Sequence, residues 1–197
     1  MIEIIFYGRG GMGAVTAGKI LSQAAIFSNN YPHVSAFPSF GTERRGAPVM
    51  AFCRISEEPI WIRSHIQKAD YAIVLDETVF GQHVIDRIKD KGALVLNTNK
   101  CPEDVRQEYN IDPAKITVVT CDLTQIAFDL KLTNRENQPI VNTSVLGVLA
   151  KSSLKISLED AKKAIQDMFG TSPKTDLNIK AAEKAAKSAL VDEVRAA

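Results

Sequence analysis

Residues 4–20 read IIFYGRGGMGAVTAGKI, an apolar run that breaks into clustered glycines before a stretch of small residues. Gly8, Gly10 and Gly13 satisfy G-x-G-x-x-G in the strand–turn–helix context that the pattern requires. Glycines there permit positive φ and close backbone approach, and the free amides of a following helix favour an anion. A dinucleotide site also needs an acid about 20 residues on, at the end of the second strand, to hold the ribose. No Asp or Glu occurs between Glu3 and Glu43, and the expected region offers His33 and Ser39. Arg44 and Arg45 could suit a 2′-phosphate instead. A second pattern, G-x-x-x-x-G-K over residues 13–19, is followed by Ile20, where a phosphate loop needs Ser or Thr to reach magnesium. It also falls inside the expected helix, so that chemistry is excluded. Two readings survive. One is an anion-binding turn in an acid-free segment, with Arg9, Lys19, Arg44 and Arg45 as its cations. The other is a turn whose glycines only let strand and helix pack tightly.

A second constellation, AFPSFGTERRGAPVMAFCRI, crowds aromatics, prolines, glycines and an E-R-R triplet between apolar segments. An arginine pair can clamp a diphosphate or a partner's carboxylate, because guanidinium offers a planar fork of donors. Alternatively Glu43 pairs with Arg44 or Arg45 to hold the loop. The aromatic content favours a contact surface for a ligand or a subunit. Asp76 and Glu77, ending ADYAIVLDE, suit either a ligand contact or the N-terminal charge of the next helix. Cys53, Cys101 and Cys121 are too widely spaced to nucleate a zinc site or an iron–sulfur cluster, and free thiols fit a reducing cytoplasm. His33, His65 and His83 show no ligand spacing. The net charge of +1 gives no reason to expect nucleic acid or an anionic membrane as a partner, and the start MIEIIFYG reads as neither a signal peptide nor a span.

These residues need a scaffold, and the pattern of the 197 residues supplies one. IEIIFY, ADYAIVLD, GALVLNT and KITVVTCDL read as buried strands of a doubly wound, mostly parallel α/β sheet. HVSAFPS and VMAFCRIS read as further strands, the latter on an antiparallel flap or edge. GAVTAGKILSQAAIFS, TQIAFDLKL and LEDAKKAIQDMF carry helical spacing. A helix is expected over ETVFGQHVIDRIKDKG, ending at Gly92. Another is expected over NTSVLGVLAKSS with Asn142 as N-cap. Ser157 and Asp160 have capping-box spacing, and Gly170 closes that helix. No strand is expected after about residue 140. The chain divides into an α/β domain, 1–170, and a helical C-terminal extension, 171–197. That extension is rich in alanine and is expected to lie against a partner or fray.

GRGGMGAVTAGKILSQAA, AFPSFGTERRGAPVMAFCRI, ADYAIVLDETVF, LVLNT and NTSVLGVLAK, in that order, resemble the gamma subunits of the 2-oxoacid:ferredoxin oxidoreductases. The form FG-x-E-R-x-GAPV-x-AF-x-RI is most similar to the pyruvate synthase branch. The likeness spans about residues 2–169. It implies a Rossmann-like subunit of a complex that converts a 2-oxoacid and coenzyme A to acyl-CoA and carbon dioxide and reduces ferredoxin. It further implies alpha, beta and delta partner subunits that carry thiamine diphosphate, magnesium and iron–sulfur clusters. This chain has no GDG thiamine signature, no cysteine cluster and no nucleophile–base pair at readable spacing. The family's gamma domain is associated with positioning coenzyme A. Carried to this sequence, that makes Gly10, Gly11, Met12, Gly13 and Thr16 candidates for the diphosphate, with Arg9, Arg44 and Arg45 as candidate charge partners. Related subunits read R-G-G where this chain reads RRGAP, which leaves open which arginine holds the common role. The isolated chain is expected to self-associate through its aromatic loop and its tail.

Overall fold

The computed structural model describes residues 1–39 and 46–194. β1 (Ile2–Arg9) is buried on both faces, as a continuous apolar run requires. Ile4 and Phe6 point to one side of the sheet, and Ile5 and Tyr7 to the other. After the glycine bend, α1 (Ala14–Phe27) lays Ala17, Ile20, Leu21, Ala24 and Ala25 against the first side. β2 (His33–Pro38) and β3 (Pro48–Ser56) form an antiparallel pair. β4 (Ala69–Val74), β5 (Ile88–Asn97) and β6 (Ile116–Cys121) follow, separated by short helices α2 (Gln82–Ile85) and α3 (Pro102–Tyr109) on the second side. α4 (Leu123–Asp129), α5 (Ser144–Leu149), α6 (Leu158–Phe169) and α7 (Pro173–Ser188) return to the first side. β7 (Leu190–Asp192) closes the sheet.

The strand order is β2-β3-β1-β4-β5-β6-β7. β1, β4, β5 and β6 pair in parallel, while β3 and β7 run against them. The expected α/β class, with a mostly parallel sheet, is therefore the one observed. The chain leaves β1 by a helix on one side of the sheet and leaves β4 by a helix on the other. Such a reversal opens a crevice at the carboxyl ends of the strands, where open α/β sheets bind their ligands. The glycine bend stands in that crevice.

Three local expectations are corrected. The helix expected up to Gly92 is only a 3-10 turn, Glu77–Val79, and the single turn of α2. The segment breaks at the extended Gly81, and Gly92 lies within β5 next to a register shift against β4. Asn142 does not cap α5; Thr143 occupies that position and Asn142 is buried. Strands do not stop at residue 140, because β7 pairs antiparallel with β6. The capping box of Ser157 and Asp160 forms as expected.

The alanine-rich tail packs within its own chain. Ala181, Ala182 and Ala185 of α7 are fully buried. They face Gly147 of α5 so closely that a Cβ there would stand 1.8 Å from the Ala182 carbonyl oxygen. Small residues on both helices let the backbones touch, which is why a stripe that looks thinly apolar in sequence makes a tight seam. Past it, the Arg106 guanidinium pairs with Asp192 and donates to the Ile116 carbonyl, fixing β7 to α3 and β6.

Candidate functional site

Gly11 and Gly13 adopt φ of +103° and +89°, the left-handed region that side-chain-bearing residues avoid. A Cβ on Gly13 would also stand 2.8 Å from Asn142 Nδ2, so the bend is tight as well as left-handed. The Gly10 amide donates to the Ala47 carbonyl at 3.0 Å, and the Gly10 carbonyl accepts from Gly46 at 3.2 Å. The Met12 amide donates to the Arg9 carbonyl, and the Met12 side chain is buried in the core. Gly10 and Met12 therefore shape the bend with their own hydrogen bonds. α1 starts at Gly13 with no side-chain cap and no acid in its first turn, so the orphan amides of that turn have no capping side chain among the described residues. Thr16 sits half-buried on that turn. Buried Asn142, beside Gly13, has no hydrogen-bond partner for Oδ1 among the described residues.

Arg9 is a strut. Its Nε and Nη2 donate to Thr78 Oγ1 at 2.9 and 2.8 Å, and its Nη1 donates to the Gly46 carbonyl at 2.9 Å. Asp76 Oδ2 lies 3.1 Å from Nε. Asp76 in turn accepts from the Thr78 amide and hydroxyl at 2.9 and 2.7 Å, capping the 3-10 turn. The fold thus uses Asp76 both as a helix-start charge and as the partner of the bend's arginine.

The acid-free character of residues 4–42 does not survive in space. Parallel pairing puts the end of β4 beside the end of β1, so Asp76 reaches the bend from a different part of the chain. Glu77 and Asp122 join it in lining a cavity of about 460 Å³ with Arg9, Met12 and Asn97. Glu77 is held by Lys100 at 2.9 Å and by the Thr98 hydroxyl at 2.9 Å. Glu108 and Glu77 together keep the Lys100 ammonium well above its ordinary range. On the far side of the bend, Gly10 and Gly11 face Asn134, Arg135, Glu136 and Gln138 across a smaller cleft. The crevice therefore has an acidic wall at the ends of β4 and β6 and meets the bend at Arg9 and Met12.

Two features of this site escape sequence reading. Asn97 donates to the Leu75 carbonyl at 2.7 Å and accepts from the Leu123 amide at 2.9 Å, which ties β4, β5 and α4 at the crevice floor. An asparagine ending an apolar strand is its only sequence trace. Arg135, exposed near Gly10 and Gly11, adds a cation from a loop 125 residues downstream of Gly10 by simple numbering. Arg44 and Arg45, with Glu43, lie outside the described residues. Among the described residues no three metal-ligating side chains come together, and no helix is long and apolar enough to cross a membrane.

The second strand argues against a dinucleotide site. In that fold it lies beside the first; here β3 intervenes antiparallel and β2 is an edge strand ending at Pro38. The acid at the bend, Asp76, comes from the end of β4 and is taken by Arg9 and Thr78, whereas the second strand ends at Pro38 with no acid there to hold a ribose.

Comparison with known proteins identifies the family. The pattern of the family described as Pyruvate ferredoxin/flavodoxin oxidoreductase matches residues 3–188. The common gamma subunit of the pyruvate/ketoisovalerate oxidoreductases of Thermococcus litoralis is 42% identical over 195 residues, 98% of this chain and 100% of that one. The crystal structure of pyruvate oxidoreductase subunit PORC from Thermotoga maritima superposes with a TM-score of 0.80 at 31% identity, covering 98% of each chain. The 2-oxoglutarate:ferredoxin oxidoreductase of Magnetococcus marinus, solved with 2-oxoglutarate, coenzyme A and succinyl-CoA bound, shares the fold. Its TM-score is 0.67 at 21% identity, over 94% of this chain and 31% of that one. The chain therefore belongs to the pyruvate ferredoxin/flavodoxin oxidoreductase family, among its gamma subunits.

Proposed function

We propose that the chain works in a complex with alpha, beta and delta subunits that oxidises pyruvate or a related 2-oxoacid, and that its glycine bend holds the diphosphate of coenzyme A. On this reading thiamine diphosphate with magnesium, bound to partner subunits, supplies the carbanion chemistry, and partner iron–sulfur clusters pass electrons to ferredoxin in the cytoplasm. This chain contributes binding and orientation.

The uncapped start of α1 is the observation that carries the coenzyme A assignment. A 14-residue helix starts directly behind the bend that lines the reversal crevice, after glycines that a side chain would strain. Gly11, Gly13 and the first-turn amides up to Thr16 face the phosphates. Gly10 and Met12 hold the bend's shape, and Arg9 locks it to the segment that carries Arg44 and Arg45. The acidic wall repels an anion, so the diphosphate lies along α1, on the side of Arg135.

Calorimetry of coenzyme A on the assembled complex tests this. Gly11→Asp places a carboxylate at the bend and is expected to weaken binding by about tenfold or more. Arg45→Ala is expected to weaken it by a smaller factor. Unchanged affinity in both variants removes the assignment. Anaerobic purification of the tagged chain tests the complex itself. Co-purifying subunits with bound thiamine diphosphate and iron–sulfur absorbance are expected, and a chain that purifies alone refutes the reading. Subunit contact also suits Trp61, which is 86% exposed next to exposed Ile62. Without its partners the chain is expected to self-associate there, as light scattering would show, and a clean monomer counts against that patch.

A further inference from the structure

A second cavity opens between the ends of β1 and β3 and the segment containing the 3-10 turn and α2. It encloses about 710 Å³, with Tyr7, Val49, Met50, Phe80, His83 and Arg87 among its lining. None of the described residues lines both this cavity and the acidic crevice. Tyr7 is 3% exposed, and its hydroxyl lies beside the Arg87 side chain without a well-aligned hydrogen-bond partner among the described residues. Burial raises its phenol above the ordinary value, and the nearby Arg87 charge opposes that rise. The Arg87 guanidinium donates to Met50 Sδ at 3.2 Å, a weak acceptor for a full cation. No carboxylate lines the cavity among the described residues. Phe80, packed on Tyr109 with ring centroids 4.5 Å apart, gives one wall a fixed aromatic surface.

A buried hydroxyl without a well-aligned partner is costly, and the half-buried Arg87 guanidinium has no carboxylate partner among the described residues, so one ligand can serve both. We propose that this cavity binds a small monocarboxylate with an apolar or aromatic body. The Arg87 fork takes the carboxylate, Tyr7 donates its hydroxyl to it, and the body lies against Val49, Met50 and Phe80. A single cation matches a single negative charge; a phosphate dianion would be left half neutralised. The site is independent of the coenzyme A assignment, because none of its residues belongs to the bend's free amides.

Phenylacetate, titrated by calorimetry into the full chain, is the probe. One saturable site is expected, with phenylacetamide and phenyl phosphate about tenfold weaker. Arg87→Gln should weaken phenylacetate about tenfold or more, and Arg87→Lys should restore part of that loss. Tyr7→Phe should weaken it several-fold while the thermal midpoint holds or rises, since the change deletes an unsatisfied hydroxyl. Gly11→Asp should leave phenylacetate binding unchanged. Equal binding of acid and amide, tighter binding of phenyl phosphate, no saturation up to about 10 mM, or unaltered affinity in Arg87→Gln overturns the proposal. So does loss of binding in the assembled complex, which would show that a partner subunit covers the cavity.

Discussion

Gly147→Ala tests whether the C-terminal helix is seated on its own chain. The new Cβ would lie 1.8 Å from the Ala182 oxygen, 2.6 Å from its carbonyl carbon and 2.9 Å from its Cα. All three atoms are backbone, so no rotamer change can make room. α5 and α7 must part by roughly 1.5 Å to reach ordinary contact distance. Overpacking of a rigid seam costs about 3 kcal/mol, and alanine in a helix interior returns about 1 kcal/mol relative to glycine. The net loss is about 2 kcal/mol, which lowers the thermal midpoint by roughly 4–8 °C in a chain of this size. Gly18→Ala on α1 is the matched control. Its Cβ would meet the Phe6 ring at 3.6 Å, an ordinary contact, so that variant should be as stable as the parent or up to about 1 kcal/mol more stable. Urea denaturation of both variants gives the sign, and hydrogen exchange should show faster opening of residues 173–192 in Gly147→Ala alone. A Gly147→Ala chain with parental stability would mean that α7 does not pack on α5, and the tail would then be free for a partner.

Three other outcomes follow from single sites. Gly13→Ala combines left-handed strain of about 1–2 kcal/mol with the Asn142 clash; it should destabilise the chain and raise the coenzyme A KM of the assembled complex about tenfold. Burial pushes the Cys53 thiol up to about 11, so it stays protonated after the unfolded chain has ionised near pH 9. The unfolded state then binds fewer protons, and stability should fall by about 2–3 kcal/mol as pH rises from about 9 to 11. Cys53→Ala should flatten that limb in a pH series of urea midpoints. Arg106→Leu strips Asp192 of its guanidinium partner inside the fold; a loss of about 3 kcal/mol, with early exchange at residues 190–192, is expected by the same two methods.

Much of this architecture was readable from local pattern. The runs that became β1, β4, β5 and β6 are each apolar and bounded by turn residues, so burial on both faces was visible in composition alone. The box at Ser157 and Asp160 was readable because a cap needs only three intervening bonds of chain. What failed was whatever depended on distant residues. The segment after Asp76 has helical spacing, yet extended Gly81 stops it after a turn. α7 looked unpartnered because its alanines matter only opposite Gly147, some 35 positions away. The acid beside the glycine bend was invisible for the same reason, since sheet order and not sequence distance brings Asp76 to Arg9.

That acid changes how the bend can work. A phosphate site assembled only from glycine amides and arginines would accept an anion from many directions. Here Asp76 and Thr78 take the Arg9 guanidinium, and Lys100 offsets Glu77, which leaves the Asp122 side of the crevice hostile to negative charge. Attraction is left to the first turn of α1 and to Arg135 in the cleft beside Gly10 and Gly11. On the proposed reading, this asymmetry does the positioning. A carrier whose diphosphate is drawn to α1 and repelled from β4 lies in one direction across the strand ends, so its reactive end points out of the crevice towards neighbouring subunits. Removing charge from the acidic wall should therefore blur orientation more than affinity. Asp122→Asn, which removes charge from that wall while an amide oxygen can still cap α4, should leave coenzyme A binding within about twofold and lower kcat of the complex. A variant that binds coenzyme A far more tightly with kcat unchanged would show that the acids only weaken binding and orient nothing.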